Sequence, residues 1–284
     1  AENGIRFNNA YTTYSVCSPS RGSIFTGLYP HQNGQMGLAT HRFRMYEGIK
    51  TLPKYLREAG YCSGCIGKVH VNPESEIPWD YRPGGLLDGS NFGKKNMPEY
   101  ATRAMEFIRK SEGKPFFLMV NYPDSHFPLQ RQVEGLPTDT VRAEEVINTL
   151  PFTGANTARL RDVTAIYYSC MNRLDEAIGI LMDSMQASGN LDNTLIVFLS
   201  DHGAQFSRGK TTNYEGGLKI PLIMSWPGKI KSGVVEDTKL VSVIDLLPTF
   251  LEVINYSPFP EGLPGRSLLG IAKGSNQEKW REYL

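Results

Sequence analysis

The sequence reads as an α/β protein, with a largely parallel sheet flanked by helices. Two patterns carry that reading. Apolar runs of strand length end abruptly in polar, reactive residues, and helical periodicity fills the intervals between them. Continuous apolar runs suit strands buried on both faces, as in a parallel sheet.

The elements follow in order. Residues 51–59 predict a helix, with Thr51 as a possible N-cap, Pro53 early and Gly60 at the end. Residues 61–66 form a weaker apolar run, followed by Gly67, Lys68 and His70. Residues 99–111 repeat Ala101, Ala104, Met105 and Ile108 at helical spacing. Residues 115–122 (PFFLMVNY) are a strand-length run that delivers Pro123, Asp124 and His126. The longest helical stretch, residues 157–188, carries Val163, Ile166, Tyr167, Cys170, Leu174, Ile178 and Leu181 on its apolar side, with Gly189 where a C′ glycine belongs. Residues 194–200 (TLIVFLS) form the third run and lead at once into Asp201, His202 and Gly203. Residues 243–254 predict a last helix in which Pro248 marks a kink or a start. Open α/β sheets bind ligands beyond the carboxyl ends of their strands. Three runs here deliver Lys/His, Asp/His and Asp/His pairs to that edge.

Composition narrows the function classes. The formal charge is +1, so nothing global points to nucleic acid or an anionic membrane as partner. No apolar run reaches the ~18 residues of a membrane span. The opening Ala-Glu-Asn-Gly is not a signal peptide. Four cysteines in 284 residues are too sparse for a disulfide scaffold. Cys62 and Cys65 form a C-x-x-C without a second Cys/His pair, which argues against zinc or thioredoxin-like chemistry. Cys170 lies on an apolar helix face and reads as core, and Asp175 as structural. His31 and His41 read as structural or rim residues without a catalytic role.

The segment Ser15-Val16-Cys17-Ser18-Pro19-Ser20-Arg21 reads as a loop entering a helix that Gly27 can end. Ser18 can cap it and Pro19 can fill its first turn. Cys17 then lies at a helix N-terminus, where free N–H groups favour an anion and a thiolate. Arg21 follows one turn later, with a fork suited to a tetrahedral oxyanion. A nucleophilic cysteine and a small buried apolar cysteine both fit this pattern.

The C-x-P-S-R run followed by Thr26-Gly27 resembles the signature of the formylglycine-dependent sulfatases, relatives of alkaline phosphatase. Three further blocks resemble the same family. They are residues 60–70 (GYCSGCIGKVH), residues 200–217 with Asp201, His202, Lys210 and Tyr214, and residues 241–251 with Asp245, Pro248 and Thr249. Val69 departs from the family pattern, where an aromatic residue, Met or Lys is usual. Residues 26–34 and 67–80, together with Asp124 and His126, extend the resemblance to the heparan N-sulfatases.

The resemblance implies a sulfatase/alkaline-phosphatase-like fold and hydrolysis of a sulfate ester or sulfamate on a heparan-like sugar. Cys17 would be oxidised to formylglycine by a maturation enzyme, and Arg21 would orient it. His70 would position the aldehyde hydrate, and His126 would serve as general acid. Lys68 and Lys210 would bind sulfate oxygens. Asp201 and His202, with the converted Cys17, would hold a divalent cation, Ca²⁺ in most of the family, with Mg²⁺ or Mn²⁺ open. The family core begins with a strand ending in paired aspartates and continues into a C-terminal subdomain. Neither has a counterpart here, so residues 1–284 are expected to be one catalytic core short of its first strand and C-terminal subdomain. The competing readings are a phosphonate or phosphodiester hydrolase of the same superfamily and an inactive glycan-binding fragment. Such enzymes are periplasmic, secreted or lysosomal. Residues 71–98 and 127–156, rich in Pro, Gly and polar residues, are expected to shape the sugar pocket.

Overall fold

The computed structural model describes residues 2–84, 93–275 and 279–284. Part of the loop at 71–98 therefore lies outside the described residues. The strands are β1 (Ile5–Phe7), β2 (Ala10–Tyr11), β3 (Cys62–Gly67), β4 (Phe116–Asn121), β5 (Ile196–Leu199), β6 (Leu222–Ser225), β7 (Val234–Glu236) and β8 (Val241–Ser242). The helices are α1 (Cys17–Thr26), α2 (Pro30–Asn33), α3 (Leu52–Glu58), α4 (Pro98–Lys110), α5 (Ala158–Ala187), α6 (Glu215–Leu218), α7 (Leu246–Val253) and α8 (Leu269–Lys273).

All three apolar runs are strands, and the predicted helices form between them. Pairing is mixed. β3 and β4 run parallel, from Cys62 opposite Phe116 to Gly67 opposite Asn121. β1 is parallel to β7, and β2 to β8. β6 is antiparallel to both β5 and β1, giving the order β5-β6-β1-β7. The short strands β1, β2, β6, β7 and β8 carry too few residues for a periodic signal.

One core packs Ile5, Phe7, Leu222, Met224 and Val241 against Ile24 of α1 and Leu246 of α7. A second joins α3 to α7 through Leu52, Leu56, Leu247 and Leu251. α4 covers β3 and β4 with Tyr100, Ala104 and Phe107. Thr157 caps α5 by accepting from the Leu160 N–H at 3.2 Å, and Gly189 adopts φ 73° beyond its end.

Two local expectations are corrected. Ser18 does not cap α1: the helix starts at Cys17, and the Ser18 hydroxyl accepts from Ala39 N–H at 2.9 Å instead. β4 and β5 are only half-buried along their whole length. They face a cavity of about 1560 Å³, which α5 side chains such as Leu174, Ile178 and Leu181 also line. Among the described residues, β4 pairs only with β3 and β5 only with β6, so each has one edge without a strand partner.

Candidate active site

The carboxyl ends of β3, β4 and β5 converge on the first turn of α1. Cys17 is the first helical residue of α1 and is 2% exposed. Its Sγ lies 3.2 Å from His202 Nε2, and it is also hydrogen-bonded by His126 and His70. Burial opposes ionisation of this thiol. The hydrogen bonds from His126, His202 and His70 and the charge of Lys68 outweigh burial and pull its pKa far below the ordinary value. Cys65, buried in β3 away from such donors, is pushed up to about 12 by burial. Cys17 therefore sits in a polar pocket that favours its ionised form, unlike the apolar surroundings of Cys65.

Arg21 joins all three strand ends. Its Nε donates to Asp201 Oδ2 at 2.8 Å, and its Nη1 donates to Lys68 O at 2.9 Å and Asn121 Oδ1 at 3.0 Å. Burial would raise the Asp201 pKa, but the Arg21 guanidinium and His202 hold it below the usual carboxylate range. Burial disfavours charge on His202, yet Asp201 and Cys17 raise its pKa above the ordinary value. Burial lowers the Lys68 pKa, with Cys17 opposing.

Backbone geometry sets these side chains. Gly67 has φ 88°, and a Cβ there would come within 2.2 Å of Asn121 O, so the β3 end needs glycine. His70 sits in the left-handed region at φ 57°, a cost that a well-determined site can hold. Its Nδ1 is buried without a hydrogen-bond partner among the described residues. His126 donates from Nδ1 to Phe127 O at 2.7 Å, and its Nε2 lies 3.5 Å from Lys210 Nζ.

Every candidate residue is thus in one place. Cys17, Arg21, Lys68, His126, Asp201 and His202 line a cavity of about 100 Å³, while His70 touches Cys17 and Lys210 touches His126. The larger cavity between β4 and β5 is mostly apolar and only abuts this cluster at Arg21, Asp201 and His202.

Sequence reading passed over three residues. Asn121 closes β4 and fixes Arg21; its signal was an amide ending an apolar run. Lys95 and Arg173 enclose Asp124, with Lys95 Nζ 3.1 Å from Oδ1 and Arg173 Nε 2.7 Å from Oδ2, all three side chains at 0% exposure. Lys95 also donates to Pro123 O and His126 O, and Arg173 Nη1 to Gln130 O at 2.8 Å. The signal for Arg173 was a charge between Cys170 and Ala177 on the apolar side of α5.

The donors for a metal can be tested directly. Cys17 Sγ, an Asp201 oxygen and a His202 nitrogen lie within 4.8 Å of one another. Ca²⁺ takes six to eight oxygen ligands. Here one donor is sulfur, one is nitrogen, and Asp201 Oδ2 is already engaged by Arg21. These three residues do not by themselves fit Ca²⁺. Titration of the 284-residue chain with Ca²⁺ in a calorimeter is expected to show no tight one-to-one binding. A tight stoichiometric isotherm would show that further oxygen donors join them.

The sulfatase family model matches residues 1–256. The chain belongs to the sulfatase family. It is 32% identical to human N-sulphoglucosamine sulphohydrolase over 95% of its own length and 59% of that protein's. The chain spans little more than half the length of the curated relatives it matches. Among solved structures, yidJ from Bacteroides fragilis superposes with a TM-score of 0.81 at 25% identity, covering 98% of this chain and 72% of that one. A second, solved with D-glucosamine-2-N,6-O-disulfate, gives 0.77 at 20% identity, covering 99% and 76%. Both carry the sulfatase fold expected from the four sequence blocks.

Proposed function

We propose that the site hydrolyses a sulfate ester or sulfamate on a heparan-like sugar, with Cys17 converted to formylglycine. The observation that supports this most is the surrounding of Cys17. The Cys17 side chain, at the first residue of α1, is ringed by His70, His126, His202 and Lys68, in a chain 32% identical to N-sulphoglucosamine sulphohydrolase.

Conversion is a two-electron oxidation by a maturation enzyme using dioxygen or another oxidant. The Cys17 side-chain carbon loses sulfur as sulfide and gains oxygen from water or the oxidant. When present, the aldehyde supplies a hydrated nucleophile for sulfur and a second hydroxyl whose deprotonation releases sulfate, an exit that serine lacks.

The chain's own residues do the rest. Once Cys17 is converted and carries no charge, Arg21 and Lys68 line the cavity, with Lys210 beside His126, against Asp201 and an Asp124 already paired with Lys95 and Arg173. That balance draws in a small anionic group and neutralises its oxygens. The cavity of about 100 Å³ suits a sulfo group rather than a whole sugar. Arg21, fixed at three points, holds the α1 end that carries Cys17 in place. His70 orients the hydrate. His126, bonded through Nδ1 to Phe127 O, presents Nε2 beside Lys210 for proton transfer to the leaving amine or hydroxyl. Asp201 and His202 are the residues that would contribute to a divalent-cation site (Ca²⁺, Mg²⁺ or Mn²⁺), which for Ca²⁺ needs further oxygen donors, and no step above is routed through one.

The test is intact and peptide mass at Cys17 after co-expression with a maturation enzyme. The expected change is a loss of about 18 Da, sulfur and two hydrogens exchanged for oxygen. A thiol that stays unmodified under those conditions overturns the reading.

A further inference from the structure

A second surface next to the reactive cluster is unused by the chemistry above. Residues 36–46 follow α2 and return to its end, where Tyr46 N–H donates to Asn33 O at 2.9 Å. An exposed phenylalanine alone signals nothing, but three observations coincide here.

First, two aromatic rings are seated on glycines with much of their surface outward. Phe43 is 46% and Tyr46 57% exposed. A Cβ on Gly37 would meet the Phe43 ring at 2.5 Å, and one on Gly34 would meet the Tyr46 ring at 3.0 Å. Only glycine lets either ring lie this close to the backbone.

Second, Arg42 and Arg44 flank Phe43, are exposed, and have no ion pair or side-chain hydrogen bond among the described residues. Elsewhere on the surface, arginines such as Arg57, Arg82, Arg103 and Arg131 are paired with carboxylates. Arg42 is held at φ 67°, in the left-handed region, by its N–H bond to Ala39 O at 3.0 Å.

Third, the loop is tied to the site's own segments. Ala39 N–H donates to the hydroxyl of Ser18, the residue after Cys17, at 2.9 Å. Asn72, two residues beyond His70, donates from Nδ2 to Ala39 O at 2.8 Å and to Phe43 O at 3.1 Å, and accepts Met45 N–H at 2.8 Å. Met45, 2% exposed, plugs the loop into the core.

We propose that Arg42, Phe43, Arg44 and Tyr46 form a binding site for the next sugar units of a sulfated glycan chain whose terminal sulfo group enters the Cys17 cavity. The aromatic rings offer apolar faces to the C–H side of a pyranose, and the two guanidiniums pair with sulfates or carboxylates on neighbouring units. In a chain of net charge +1 this is a local cationic, aromatic strip rather than a general polyanion surface. This inference rests on the sulfated-sugar reading above and extends it from a single sulfo group to a chain.

The test uses the 284-residue chain and three probes: an N-sulfated heparin tetrasaccharide, glucosamine N-sulfate alone, and a single-stranded oligonucleotide of the tetrasaccharide's charge. Dissociation constants are measured for the parent, for Arg42→Ala/Arg44→Ala and for Phe43→Ala/Tyr46→Ala. All four side chains are exposed, and unchanged thermal midpoints confirm intact folds. Each double variant is expected to weaken the tetrasaccharide at least about tenfold, with the monosaccharide unchanged. Loss of the aromatic pair leaves the salt dependence intact, whereas loss of the arginines flattens it. Equal tetrasaccharide affinity in parent and variants, or no tetrasaccharide binding by the parent, overturns the proposal; if the monosaccharide still binds, the Cys17 reading stands. Oligonucleotide binding as tight as tetrasaccharide binding, and lost in parallel, overturns it as well.

Discussion

Cys17→Ala is expected to abolish turnover of a sulfated sugar while leaving the fold intact. Removing the nucleophile from a unit of cooperating groups costs on the order of 10⁴-fold or more in kcat. The side chain is the first of α1, and the helix is held from its other residues, with Ile24 and Phe25 in the core and Gly27 closing it in the left-handed conformation. Alanine keeps helix propensity at that position. Initial rates on glucosamine N-sulfate, read beside the urea midpoint of the same preparation, check both halves of the statement. Residual turnover near the parent rate would mean that another group attacks sulfur.

The second large effect is on stability. Asp124→Ala is expected to cost about 3–5 kcal/mol, because it strands two buried cations at once. Arg173→Met leaves Asp124 with Lys95 and is expected to cost less, and Lys95→Met least of all. Arg173 holds Asp124 at 2.7 Å and also braces Gln130 O, whereas burial already disfavours charge on Lys95. Urea midpoints and slopes for the three variants give the order. An Asp124→Ala protein within about 1 kcal/mol of the parent would show that the triad contributes specificity rather than stability. Because Lys95 also carries His126 O, the weakened proteins are expected to lose His126 placement before they lose the sheet.

Much of this was legible in the sequence for a physical reason. Runs such as 115–122 and 194–200 are long enough to declare themselves, and the residues just past them, Asp124, His126, Asp201 and His202, are where an α/β sheet puts its chemistry. Cys17 and Arg21 were legible because helix entry imposes a local pattern of small residues and proline. What was not legible depends on partners distant in sequence. Ser18 had the chemistry of a cap, but Ala39 competes for its hydroxyl. Asn121 and Arg173 show their roles only when β4 and α5 meet the loops they brace. The two-residue strands β2 and β8 exist because each lies beside the other, not because of their own propensity.

The pairing pattern has a mechanical meaning. Among the described residues, no strand hydrogen bond joins the β3–β4 pair to the β5-β6-β1-β7 sheet. Lys68 and His70 therefore follow the end of the β3–β4 pair, and Asp201 and His202 follow the end of β5. Arg21, bonded to Lys68 O, Asn121 and Asp201, acts as the rivet between them. Around the cavity proposed to take a sulfo group, the three strand ends are hydrogen-bonded to one another through a single guanidinium rather than by a continuous ladder.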